Sequence, residues 1–411
     1  MAVALDAGFD VAALLARLGV TPRRITADSR DVHPGDAFAA YPGALADGRA
    51  FIGDALSRGA GAVLWEPGGF RWNAAWPVAE QPVPRLRERL SAIADVVFGH
   101  PSQALWMIGV TGTNGKTSCA QWIGQCLARC GRRAGVLGTL GNGLVGALAP
   151  ARHTTADAAG LQETLATLRA AGADAVAMEV SSHGIDQGRV NAVAFDVALF
   201  TNLTRDHHDY HGTMEAYGAA KARLFRWPGL AAAVINADDA FGATLIDEAR
   251  QQGRDCLSYG LGAADIRASA IVEGPQGIRC VVDTPAGRGE LAAPVVGRFN
   301  LSNLLGCLGV LLASGVALPD ALAALRAVEP PAGRMQRLGG GDAPLVVVDY
   351  AHSPDSLERA VRAARRLCDG ALTGVFGRLA DTLVQLAPPS LVRNTCPGVD
   401  GVESLKPEKI T

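Results

Sequence analysis

The stretch from Leu105 to Cys130 sets the tightest limit on what this chain can fold into. Leu105 to Val110 is an apolar run of strand length, and Thr111-Gly112-Thr113-Asn114-Gly115-Lys116-Thr117 follows it. Cys119, Ile123, Cys126, Leu127 and Cys130 then recur at helical spacing. A buried strand, a glycine-rich turn and a helix together point several backbone N–H groups and a helix N-terminus at one anion. Lys116 would add a point charge near the terminal phosphates, and the Thr117 hydroxyl a ligand for the Mg²⁺ that accompanies them. The segment therefore predicts a triphosphate site built from Gly112, Thr113, Asn114, Gly115, Lys116 and Thr117. The fit to the common phosphate-loop pattern is incomplete, because the first glycine of that pattern would fall at Val110. A glycine-rich turn alone also fits a plain tight connection. The Gly-Lys-Thr ending and the flanking elements argue for phosphate.

The chain has 411 residues, 49% hydrophobic and 19% charged, enough for about three packed domains and against disorder. A net charge of −2 gives no electrostatic reason to expect nucleic acid. Asp6 and Asp10 interrupt the first residues and no basic region precedes them, unlike a secretory signal. No apolar run reaches membrane-spanning length; Leu304 to Leu318 comes nearest and is broken by Ser314 and glycines, so membrane insertion is not expected. Eight cysteines without paired CxxC spacing suggest neither zinc nor a disulfide framework. The expectation is a reduced, cytoplasmic α/β protein.

Three domains are expected, at residues 1–100, 101–330 and 331–411. In the first, Val11, Leu14, Leu15 and Leu18 form a helical stripe, Ala60 to Leu64 a short strand, and Arg85 to Val97 a connecting helix. Two polar clusters, Asp28-Ser29-Arg30 and Ala44-Leu45-Ala46-Asp47-Gly48-Arg49, read by themselves as loops. In the second, strand candidates Leu105–Val110, Ala134–Leu137, Ala175–Met178, Val197–Phe200 and Ala232–Ile235 alternate with helices such as Ala158–Ala171 and Met214–Phe225. That alternation predicts a mostly parallel sheet covered on both faces, with ligands at the carboxyl ends of its strands. Ile266 to Pro294 alternates like short antiparallel strands, an appendage without chemical role.

Polar residues do follow the strands. Glu179 ends the third apolar run, where a carboxylate can reach a phosphate-bound Mg²⁺ or simply form a salt bridge. After the fourth comes Thr201-Asn202-Leu203-Thr204-Arg205-Asp206-His207-His208-Asp209-Tyr210-His211-Gly212, which suggests metal or phosphate chemistry. No His or Cys spacing there suits tetrahedral zinc, so Mg²⁺ is preferred, with Thr117, Glu179 and His207 as candidate ligands. Lys221 stands ten residues past His211 in a helical pattern; in isolation it would be a solvated side chain.

In their order these segments resemble the Mur ligases. The loop Thr111–Thr117 also resembles that of their folylpolyglutamate synthetase cousins. Asn202 to Gly212 followed by Tyr217-x-x-Ala220-Lys221 matches the family's second signature, whose lysine is carbamylated by CO₂. That modification would turn the Lys221 cation into an anion able to help hold a second Mg²⁺. The resemblance implies that Ala27, Ser29, Ala44, Leu45 and Ala46 hold the UDP end of a UDP-muramoyl substrate. It also implies substrate contacts from Thr154, Thr155, Ser181, Gln187 and Arg189, and nucleotide contacts from Asn300, Arg334 and Asp349. Lys116, Glu179, His207 and Lys221 become the catalytic set. The implied reaction is an ADP-forming ligation: ATP activates the terminal carboxylate of UDP-N-acetylmuramoyl-L-alanyl-D-glutamate as an acyl phosphate. The amine of a third residue, meso-diaminopimelate or lysine, then displaces phosphate in peptidoglycan synthesis. A folylpolyglutamate-type synthetase is the alternative ligase, and a non-catalytic nucleotide-binding remnant the alternative of another class.

The resemblance covers residues 1 to about 377. After Val375-Phe376-Gly377 the family continues with Cys-Gly-Gly-Asp-Arg-Asp, whereas here Arg378-Leu379-Ala380-Asp381 follows and no Asp-Asn-Pro-Arg motif for the amino acid appears. The expectation is an incomplete, Rossmann-like third domain, and a chain that binds nucleotide and UDP-substrate but ligates little.

Overall fold

The computed structural model describes residues 9–375 except 44–45, 152, 275, 341–342 and 369, and leaves the side chains of 208, 354 and 355 aside. Expectations about Ala44, Leu45 and the tail from Arg378 therefore fall outside the described residues.

Three sheets follow one another along the chain. The first has four parallel strands in sequential order, β1 (Ile25–Thr26), β2 (Ala37–Ala40), β3 (Ala62–Trp65) and β4 (Ala79–Pro82). The helix Val11–Leu18 starts at an Asp10 cap and ends at Gly19 in the left-handed region, and it buries Leu14 and Leu18 on this sheet. The connecting helix begins at Leu86 rather than Arg85, because Arg85 sits at φ 59 and cannot belong to a right-handed helix. It packs on the helix Ala158–Ala170 of the central unit. Arg24 ties the same two units by hydrogen bonding Glu163 at 2.6 Å and Asp36 at 2.6 Å.

The central sheet has eleven strands: β5 (Trp106–Thr111), β6 (Ala134–Gly138), β7 (Gly141–Leu144), β8 (Ala147–Ala149), β9 (Ala175–Glu179), β10 (Val197–Phe200), β11 (Ala232–Asn236), β12 (Cys256–Gly260), β13 (Ile266–Gly274), β14 (Gly277–Thr284) and β15 (Gly287–Ala293). Their spatial order is β15-β14-β13-β12-β11-β10-β5-β9-β6-β7-β8. Pairing is parallel from β13 through β6, and antiparallel hairpins extend both edges. All five expected strands are present, displaced at their ends by no more than a residue. The segment expected to be an appendage instead continues this sheet, since β13 pairs parallel to β12.

Strand residues alternate between the two faces, as period two requires. Ile108, Val110, Val197, Leu199 and Val234 point to one buried cluster; Met107, Ala198, Phe200, Ala233 and Ile235 point to the other. The helices Lys116–Arg129 and Arg298–Ala313 cover the first face, where Leu304, Leu308 and Leu311 are fully buried. That burial explains the long apolar run near Leu304. Among the described residues no helix is long and apolar enough to cross a membrane. The expected helix Met214–Phe225 is α-helical only to Ala222 and tightens to a 3₁₀ turn over Arg223–Arg226.

Past residue 331 the described chain forms an antiparallel pair, β16 (Gln336–Gly339) with β17 (Leu345–Val348), and the capped helix Pro354–Arg365. Ala360 and Ala363 pack with Val296 and Met335, joining this segment to the central unit.

Candidate functional site

At the carboxyl end of β5 the chain turns sharply, with Gly112 at φ 143 and Gly115 at φ 87. A Cβ on Gly112 would stand 1.9 Å from Thr201 Oγ1, so only glycine lets the loop pass the end of β10. The residues after β10 hold the loop: the Thr113 N–H donates to the Asn202 carbonyl at 2.8 Å and the Asn114 N–H to Asn202 Oδ1 at 3.0 Å. Thr201 Oγ1 donates to the Asn114 carbonyl at 2.6 Å. Gly115 caps the helix Lys116–Arg129, which starts with its free N–H groups at this loop.

Lys116 folds back over its own turn and donates to the Gly112 and Thr113 carbonyls at 2.9 and 2.8 Å. Thr117 Oγ1 donates to Glu179 Oε2 at 3.0 Å. Glu179, delivered by β9 and 2% exposed, also accepts from the Thr139 N–H at 2.7 Å. Burial raises the Glu179 pKa and lowers that of Lys116, while the attraction between the two opposes both shifts. From across the cleft Arg334 donates to Thr117 Oγ1 at 3.3 Å and lies over the Tyr350 ring at 4.8 Å. Asp349 accepts from the Met335 N–H at 2.8 Å, and burial raises its pKa.

These groups line one cavity of about 380 Å³. Of the residues singled out in the sequence it gathers Thr113 to Thr117, Thr154, Glu179, His207, Asn300, Arg334 and Asp349. Asn300 is anchored in the first turn of its helix by a hydrogen bond to the Val296 carbonyl at 2.9 Å. Sequence reasoning passed over Thr139, Asn303 and Tyr350, which line the same cavity. Thr139 lies on the turn after β6, where the strand-end rule could have found it.

Lys221 does not line the cavity. It is 1% exposed, lies over the Tyr217 ring at 4.2 Å and donates to the Gly112 carbonyl at 2.9 Å. Burial first, and then Lys116, hold its pKa well below the ordinary lysine value. His207, at φ 51, takes a backbone hydrogen bond to Asp206 Oδ1, and its ring nitrogen is 3.6 Å from Asp206 Oδ2. Burial lowers its pKa, with Asp206 opposing. The His183 ring lies 4.9 Å from that of His207 and 5.5 Å from that of His211.

A second group borders the cavity. Thr155 Oγ1 donates to the Glu179 carbonyl at 2.9 Å, and Arg189 donates to the Thr155 carbonyl at 2.7 Å and to Gln187 Oε1 at 2.6 Å. Ser181 caps the short helix Ser182–Asp186. Ala27, Ser29 and Ala46 lie apart on the first sheet's loops; Ser29 is buried and the Ala46 carbonyl accepts from the Gly43 N–H at 2.8 Å.

The oxygen donors fit Mg²⁺. Thr117 and Glu179 put a hydroxyl and a carboxylate side by side, and such a hard cation commonly takes one or two carboxylates and completes its shell with phosphate and water. Among the described residues no three His, Cys, Asp or Glu side chains converge into a metal-holding group. His207 faces Asp206 rather than this pair.

Comparison with known proteins agrees with the order of these parts. Residues 22–97 match the Mur ligase family catalytic domain, 110–311 the Mur ligase middle domain, and 333–389 the Mur ligase glutamate ligase domain. The chain is 53% identical over 366 residues to a UDP-N-acetylmuramoyl-L-alanyl-D-glutamate–2,6-diaminopimelate ligase of Ectopseudomonas mendocina, covering 88% of this chain and 74% of that one. It is 53% identical over 360 residues to the ligase of the same name from Pseudomonas aeruginosa, covering 86% and 73%. A solved structure with that ligase name superposes with a TM-score of 0.74 at 33% identity, over 90% of this chain and 74% of the other. In fold alone the chain is also similar to a MurF ligase of Thermotoga maritima in complex with ADP, with a TM-score of 0.65 at 20% identity over 84% of this chain and 75% of that one. On these identities and the span they cover, the chain belongs to the Mur ligase family.

Proposed function

We propose that this chain is an ATP-dependent ligase that joins 2,6-diaminopimelate to UDP-N-acetylmuramoyl-L-alanyl-D-glutamate. The observation that carries the reading is the Thr117–Glu179 pair beside a lysine-bearing phosphate loop, with Arg334 reaching it from the opposite wall. The relatives' names supply the substrates: those ligases are named for this acceptor and for 2,6-diaminopimelate.

The chemistry follows from the poor leaving group of a carboxylate. An acceptor carboxylate oxygen attacks the γ-phosphorus and ADP departs, leaving an acyl phosphate. The amine then bonds to the acyl carbon, phosphate leaves with the C–O bond electrons, and the amine sheds its proton. Mg²⁺, when bound, neutralises charge between phosphate oxygens and the attacking carboxylate. Lys116 and Arg334 would hold the transferring phosphoryl group, Thr117 and Glu179 would hold the metal, and the loop N–H groups would bind the β-phosphate. Asn300 and Asp349 position the nucleotide. Thr154, Thr155, Ser181, Gln187 and Arg189 orient the muramoyl peptide, and Ala27, Ser29 and the 44–46 loop take the uridine end. Residues 1–100, 101–330 and 331–411 thus divide the work as acceptor-binding, ATP-binding and closing segments. ATP and UDP-linked precursors place the reaction in the cytoplasm.

Incubation with Mg-ATP, the UDP-muramoyl dipeptide and radiolabelled 2,6-diaminopimelate or lysine tests this. ADP release should require the dipeptide, and whatever label enters product should come from diaminopimelate and not from lysine. Lys116→Ala should weaken Mg-ATP binding by about 1.5–3 kcal/mol, the loss of a charge-assisted phosphate contact. Dipeptide-independent ADP release, or unchanged ATP affinity in folded Lys116→Ala, would sink the reading.

A further inference from the structure

Strand β13 carries one residue too many for its partner. Ser269 pairs with Val281 and Val272 with Arg279, so three steps on β13 oppose two on β14, and Ala270 adopts φ 49 inside the bulge. The extra residue changes which positions face inward. Ile266 and Ala268 are buried before the bulge; after it Val272 is 65% exposed, and Ile271 packs on the core. Glu273 therefore turns to the inner face, towards the helix Arg298–Ala313.

There its Oε1 accepts from Arg298 Nε at 2.9 Å and from Arg366 Nη1 at 2.8 Å. Arg298 opens the helix that carries Asn300, two residues on. Arg366 caps the end of the helix Pro354–Arg365, from which Ser356 and Arg359 face the cavity. One carboxylate oxygen thus fastens both sides of the nucleotide cleft together. The Glu273 side chain is 16% exposed while both arginines are 55% exposed, so these are partly exposed ion pairs worth about 1 kcal/mol or less each.

We propose that Glu273 is a positioning residue of the cleft: by bridging Arg298 and Arg366 it holds the segment bearing Arg334 and Asp349 closed on the phosphate loop. Glu273 does not line the cavity, nor do its partners Arg298 and Arg366, through which it acts. The inference rests on reading the cavity as the ATP site.

A double-mutant cycle on the full chain tests it, with Glu273→Gln, Arg366→Gln and the pair, read by calorimetric Mg-ATP binding and by nucleotide-free melting. Each single variant should weaken Mg-ATP by up to about five-fold, the size of one partly exposed ion pair, with a melting shift under about 2 °C. The double variant should be no weaker than either single, because the contact can be lost only once. Raising the salt to about 0.5 M should shrink the difference from the unsubstituted chain. Unchanged affinity in both singles, additive losses, or losses that track the melting temperature would overturn the proposal. Absence of binding by the unsubstituted chain would instead overturn the ATP reading.

Discussion

Lys116 and Lys221 donate to the same oxygen, each ε-amine lying 2.9 Å from the Gly112 carbonyl. Lys221 is 1% exposed, and burial first and then the charge of the part-buried Lys116 hold it well below its ordinary pKa. A neutral amine is the form that attacks CO₂. If Lys221 takes up CO₂ as the family resemblance implies, the carbamate, with one proton released, would replace a repelled cation by an anion beside Lys116.

On the proposed reading, Lys221→Ala should therefore cut Mg²⁺-dependent turnover by about 100-fold, as loss of one preorganised charge typically does. Millimolar acetate or propionate should restore part of it by entering the vacated space. Carbon-13 NMR of chain equilibrated with labelled bicarbonate should show one carbamate resonance that Lys221→Ala lacks. An active chain with no such resonance would remove carbamylation from the mechanism.

Glu179 gives a pH dependence of definite sign. Its folded pKa is raised by burial, so the folded state binds more protons than the unfolded state above the unfolded value. The protonated carboxyl is most stabilising below about pH 4.5, and that contribution is lost as pH rises through the raised folded value. Glu179→Gln keeps an acceptor for the Thr139 N–H and removes the charge. Without nucleotide the variant should match or exceed the parent in stability at pH 7, by up to about 2 kcal/mol, with the gap closing towards pH 4. It should also lose the Mg²⁺ dependence of ATP binding. A variant less stable at pH 7 than at pH 4, relative to the parent, would contradict the assignment.

The parts of this architecture written locally were legible in the sequence. The strand, turn and helix around Gly112–Thr117 are specified by neighbouring residues, and the buried parallel strands by unbroken apolar runs such as Val197–Phe200. Glu179 was found because ligands gather at strand ends. What escaped depends on distant partners. β1 and β2 are two and four residues long and gain their identity from pairing, and β7 and β8 are a glycine-rich edge hairpin. The β13–β15 region alternates as an independent hairpin would; only its parallel register with β12 makes it part of the central sheet. Lys221 was picked out by motif, but its shared acceptor with Lys116, 109 residues away from it in Gly112, has no signature along the chain.

Gly115 tests the loop geometry independently of any charge. It adopts φ 87, and a Cβ there would approach Asn303 Oδ1 to 2.5 Å. Gly115→Ala combines left-handed strain with displacement of a buried amide that itself donates to Asn300 Oδ1 at 3.3 Å. The cost should be about 2–4 kcal/mol in stability, read as a lowered denaturant midpoint at unchanged slope. Gly131→Ala, also at positive φ but with open space around it, isolates the strain and should cost about 1 kcal/mol. Equal losses in the two variants would mean that the contact with Asn303 is soft.

Arg334 separates charge from shape. Its guanidinium spans the cleft, donating to Thr117 Oγ1 at 3.3 Å while its central carbon lies 4.8 Å from the Tyr350 ring centroid. A lysine keeps the charge but has neither the planar fork nor the stacking face, so Arg334→Lys is not conservative here. Stacking of this kind contributes about 0.5–2 kcal/mol and a charged hydrogen bond about 1.5–3 kcal/mol. If Arg334 grips the transferring phosphoryl group, Arg334→Lys should lower kcat about ten-fold and raise the KM for ATP little, because the contact tightens as charge moves onto the phosphoryl oxygens. If Arg334 only anchors the third segment through Tyr350, Tyr350→Leu should reproduce the whole effect. A Tyr350→Leu variant with near-normal kcat beside a slow Arg334→Lys would assign the arginine to the phosphoryl group. Matched losses in both variants would make the stacked pair a structural clamp.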